Sequence, residues 1–110
     1  MDNKAKTIRE LAHCFGDLAA IILFTPAYKN HDCRARARYA HCVGKEHAYL
    51  CIARALEVSD PAKRETAYVM WYDCTMTFAE QYSPKMRESF MKAFASVNPT
   101  QFGLGQSAEA

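Results

Sequence analysis

Nitrogen and sulfur donors fall close together at four places in this 110-residue chain: His13-Cys14, His31 with Cys33, His41-Cys42, and His47 with Cys51. Such pairs could begin a transition-metal site. Structural zinc needs four converging ligands, usually introduced by pairs such as C-x-x-C, and no such pair occurs here. Of the four, only His47 and Cys51, four residues apart, share a helix face. No metal and no cofactor is expected. A cysteine nucleophile would need an accessible, electropositive setting with a base in reach. Cys33, beside Arg34 near a helix start, comes nearest to that. Cys42 points about 100° away from its sequence neighbour His41 if both lie on a helix. There is no glycine-rich phosphate loop, serine elbow or motif-placed carboxylate pair. No catalytic residue is assigned, and the chain reads as a protein that is not an enzyme.

The residues that could do binding chemistry lie between His31 and Val58, which reads as one helix of about seven turns. One side of it carries Arg34, Arg38, His41 and Lys45 and continues in the same direction into Tyr49, Ile52 and Leu56. Its first half is basic, over roughly 17 Å of helix, and its second half is apolar. Charge for steering beside an apolar patch that can be desolvated is the composition of a protein interface. These seven residues are the candidate partner-binding set. The four cations could instead follow phosphates, although Arg36 points to another side and no helix-turn-helix signature surrounds them. A third side carries Ala37, Ala40, Gly44, Ala48, Cys51 and Ala55. Small residues there permit close helix packing, either inside the monomer or in a symmetric dimer.

Four helices must position this stretch. In the first, over residues 4–24, Ile8, Leu11, Phe15, Leu18 and Ile22 form an apolar heptad seam, with Asp2 or Asn3 as cap and Thr25-Pro26 as stop. Asn30 is the expected cap of the long second helix. Ser59-Asp60-Pro61 starts the third helix, whose stripe of Tyr68, Trp71, Thr75, Phe78 and Tyr82 reads as core. Ser83-Pro84 starts a short fourth helix bearing Met86, Phe90, Phe94 and Val97 on one face, and Asn98-Pro99 closes it. No segment alternates like a strand and no repeat is present. The fold class is all-α: a compact four-helix arrangement with three longer helices and a short fourth, most simply an antiparallel bundle, or else a three-helix core with an appended hairpin. Residues 1–98 form a single domain, and 99–110 a flexible tail in which Phe102 or Leu104 could dock.

Composition sets the remaining bounds. The net charge of +2 is too mild to indicate nucleic acid by itself. The longest apolar run, Leu18 to Phe24, is far short of the ~20 residues of a membrane span, and the amino terminus lacks a signal-peptide pattern. Five cysteines in helical patterns read as buried free thiols of a reducing compartment, so a soluble cytoplasmic protein is expected. Thirteen aromatic residues exceed what four modest helices easily hide, which points to a homodimer.

In size, helical content and absence of catalytic motifs the chain resembles the small bacterial antiactivators that sequester quorum-sensing transcription factors of the LuxR type. The resemblance is one of general character across the whole chain, and no family residue is carried over from it. It implies a transcriptional activator as the protein partner, inhibited by occlusion of its dimerisation or DNA-binding surface. The alternative reading is a small DNA-binding regulator that lays the basic helix face on phosphates.

Overall fold

In the computed structural model, which describes residues 3–105, the chain is all-α. Five helices are present among the described residues: α1 (Asn3–Leu23), α2 (Pro26–Lys29), α3 (Cys33–Leu56), α4 (Arg64–Ala79) and α5 (Pro84–Ala95), with 3-10 turns at Pro61–Lys63 and Pro99–Phe102. Four of them are the helices expected from periodicity. The fifth, α2, is a single turn inside the expected connection, where Thr25 accepts the Tyr28 N–H and Pro26 begins the turn. Asn30 ends α2, so α3 is capped instead by Asp32, whose carboxylate accepts the Ala35 N–H at 3.0 Å. His31 between them takes a positive φ of 61°, which turns the chain back.

Helix α3 is the centre, and α1, α4 and α5 pack around it. Its small-residue side closes on α5. A β-carbon on Gly44 would lie 2.4 Å from the Phe90 carbonyl oxygen and 3.1 Å from the Ala93 β-carbon. Ala40, Ala48, Cys51 and Ala55 on the same side are buried. That stripe is therefore core inside one chain and not a dimer seam. An aromatic cluster binds the next edge, with His47 stacked on Phe78 at 4.6 Å and Phe90 in contact with Phe78, Tyr82 and Phe94. Trp71, expected in the core stripe of α4, stands exposed beneath the Arg54 guanidinium.

Helix α1 runs antiparallel to α3. Phe15 stacks on Tyr49 with ring centroids 5.9 Å apart, and Arg9 makes a two-pronged ion pair with Glu57 further along. The close approach uses small side chains: Ala5, Ala12 and Ala19 are buried, and Gly16 leaves room for the Glu46 carboxylate. Only Ile8 of the apolar seam is fully buried. Because the alanines take the inward line, Leu11 and Leu18 are rotated outward.

Three thiols expected inside, Cys14, Cys33 and Cys74, are exposed, while Cys42 and Cys51 are buried; none of the five forms a disulfide. Burial pushes both inner thiols up, and the Cys51 sulfur lies 3.4 Å from the Thr75 hydroxyl. Residues 99–105 of the expected tail are folded onto the domain. Asn98 caps the turn, Gly103 adopts a φ of 73°, Leu104 is buried, and the Gly105 N–H donates to Glu65 at 2.8 Å. Asp2, offered as a cap, and residues 106–110 lie outside the described residues.

Candidate partner-binding surface

The helix phase of α3 carries the seven candidate residues to very different depths. Arg34, Arg38 and His41 are exposed, and Lys45 and Tyr49 are half-buried. Ile52 and Leu56 are 1 % and 6 % exposed. They belong to the core cluster that also holds Ile8, Leu104 and the flanking Phe102 ring. Lys4 of α1 lies over that ring at 5.7 Å, which shows how near the carboxy-terminal turn comes to the amino-terminal end of α1. The two apolar residues cannot meet a partner while this fold is intact. That part of the candidate set is corrected: Ile52 and Leu56, two of the three apolar residues of the face, are covered by the chain itself.

The cations, in contrast, have no ion-pair partner among the described residues. Ion pairs among the described residues join Arg9 to Glu57 and, one helical turn apart on α5, Glu88 to Lys92 at 3.3 Å. Neither pair involves Arg34, Arg38, His41 or Lys45. Arg36 leaves the row, as its phase requires. Its guanidinium lies over the Tyr28 ring at 4.5 Å and donates to the Tyr28 carbonyl, with Nε buried and unpartnered.

Apolar surface that the heptad pattern placed inside is found on the outside of α1. Leu11 and Leu18 are exposed, and Ile21 and Phe24 reach 64 % and 71 % exposure. Leu11, Leu18 and Ile21 line one side of the helix, adjoining Phe15 and Ile22, and Phe24 follows at its end. Phe15 meets Tyr49, so this side of α1 continues across into the side of α3 that carries Tyr49, Lys45, His41 and Arg38. The antiparallel pairing sets Phe24 at the end of the molecule where Arg34 and Arg38 stand. The signal that the seam faces outward is the alanine line Ala5, Ala12 and Ala19, which competes with it for the inward position. A smaller apolar patch, Met70 with Trp71 and Cys74, lies on α4.

Two acidic groups mark the rest of this region. Glu57 is held below the usual carboxylate range by its hydrogen bonds to Arg9. Glu46, in the space left by Gly16, is pushed up by burial and by Asp17, against the pull of His13 and Arg54. Among the described residues no group of three or more His, Cys, Asp or Glu side chains converges as a metal site, and no helix is long and apolar enough to cross a membrane. Comparison with protein-family models, curated proteins and solved structures finds no match.

Proposed function

We propose that this protein is a small regulator that acts by binding another protein, with Arg34, Arg38 and His41 steering the approach and Phe24 supplying an apolar contact at the same end of the molecule. The observation that carries this reading is the exposed row of cations, without acidic partners among the described residues, at the same end of the molecule as a largely exposed aromatic ring. Unneutralised charge accelerates encounter, and a desolvatable ring slows escape. The target class that the family resemblance suggests is a transcriptional activator, inhibited by occlusion of its dimerisation or DNA-binding surface.

Affinity capture from native lysate tests the reading. The wild-type protein should retain a stoichiometric partner after nuclease treatment, and Arg34→Ala/Arg38→Ala and Phe24→Glu should each lose it with an unchanged helical circular-dichroism spectrum. The same cation row suits phosphates as a second reading. Loss of all partners on nuclease treatment, with steeply salt-dependent DNA binding abolished in the double arginine variant, would decide for that alternative.

A further inference from the structure

The exposed side of α1 is bounded by opposite charges. Towards α3, beyond Phe15 and Tyr49, stands Lys45; away from α3, beyond Leu18 and Ile21, stand Glu10 and Asp17, both exposed. Neither Lys45 nor Asp17 has an ion pair among the described residues. Across the face the order is therefore basic, apolar, acidic. Whether such a surface is complementary to itself depends on the symmetry. If the two-fold axis crosses α1, each acidic edge meets the other acidic edge. If the axis runs along α1, each acidic edge meets the basic row, and the apolar strips still coincide.

We propose that this face receives a second copy of the chain, with the two α1 helices side by side and parallel about a two-fold axis that runs along them. Leu11, Leu18 and Ile21 of each protomer bury against the same residues of the other. Asp17 lies level with the Gly16–Glu46 contact, and so it reaches Lys45 of the other protomer, next to Glu46 in the chain. The axis makes this pair occur twice. Helix α1 is roughly 30 Å long, and two packed helices are roughly 20 Å across, so the face offers roughly 600 Å², below the ~800 Å² per partner of a standard interface and suited to a dimer that exchanges. Arg34 and Arg38 lie beyond the strip and stay free, so self-association and capture of a different protein use separate residues.

Light scattering and sedimentation equilibrium between about 1 and 200 µM, concentrations on the order of those at which typical specific interfaces form, test the proposal. The wild type should be dimeric. Leu18→Glu, at a position already half in water, should be monomeric with an unchanged circular-dichroism spectrum and melting transition. Asp17→Lys and Lys45→Glu should each weaken the dimer about tenfold or more, because two surface ion pairs become two repulsions. An equimolar mixture of these two variants should recover the dimer, since the heterodimer restores opposite charges across the interface. A monomeric wild type, a dimer indifferent to Leu18→Glu, or a mixture no tighter than its components would overturn the proposal. Arg34→Ala/Arg38→Ala should leave the dimer intact, which separates this result from the fate of the capture reading.

Discussion

The carbonyl oxygen of Phe90 lies 2.4 Å from where a β-carbon on Gly44 would stand. Helix α5 can approach α3 this closely only because position 44 has no side chain. Gly44→Ala would press a methyl group into backbone and the Ala93 side chain, neither of which can swing away. A loss of roughly 1–3 kcal/mol is expected from overpacking, read as a lower urea midpoint with an unchanged slope.

Gly16 gives the opposite expectation. Its β-carbon would meet the Glu46 carboxylate oxygen at 2.4 Å, but that oxygen is the end of a flexible side chain. Gly16→Ala therefore moves Glu46 into water while α1 gains up to ~1 kcal/mol of helix propensity. Burial raises the Glu46 carboxyl, so in the folded state it stabilises only while protonated, a contribution present at low pH and lost as pH rises through its raised value. Once the carboxyl is ionised nothing is lost by freeing it. The advantage of the variant over the wild type should therefore grow as pH rises through that raised value, and a lower transition at every pH would show that Glu46 holds α1 to α3.

These two glycines show what a single sequence reveals. The small-residue side of α3 is legible because its spacing repeats over many turns, and the starts near Pro61 and at Pro84 are legible because cap and proline are local signals; the short helix that begins at Pro26 is hidden because the same signal reads as the stop of α1. The orientation of α1 is not. Leu11, Leu18 and Ile8 have the same chemistry, and which of them faces inward depends on how closely Ala5, Ala12 and Gly16 let α3 approach. Ile52 and Leu56 share one helix side, as their spacing dictates, but the cluster that buries them takes in Leu104, about fifty residues later in the chain. Periodicity within a helix carries no information about a segment that distant.

Ile52 and Leu104 test that burial directly. Both are almost fully buried in one cluster. Ile52→Ala and Leu104→Ala should each cost roughly 2–5 kcal/mol, and Ile52→Glu should prevent folding by leaving a carboxylate in the core. If Ile52→Glu kept the circular-dichroism spectrum and melting transition of the wild type, the helix face would be open after all. A free, unordered tail would make Leu104→Ala neutral.

The pH dependence of stability isolates His47. Its imidazole is stacked on Phe78 and tilted against Phe90, and burial, with a smaller push from Arg54, lowers its proton affinity in the fold. The unfolded state then binds the proton more readily. Its contribution to stability is present above the unfolded value of about 6.5 and is lost as pH falls towards the lower folded value. Glu57 acts in the same direction, but in a separate window. Arg9 lowers its carboxyl, so that contribution persists above the usual carboxylate value and fades only in stronger acid. With both side chains more than a third exposed, the pair contributes no more than ~1 kcal/mol. Urea unfolding at intervals from pH 8 to pH 4, a range of about two units either side of the imidazole value, should therefore show, for the wild type relative to His47→Phe, a decline beginning below neutrality. His47→Phe, which keeps a ring between Phe78 and Phe90, should flatten that upper part of the decline and leave the acid limb in place. Glu57→Gln should do the reverse. A wild-type profile parallel to that of His47→Phe from pH 8 to pH 5, about the point where carboxylates begin to protonate, would mean that the imidazole is protonated as easily in the fold as in water, because the opposing contribution of Glu46 is common to both.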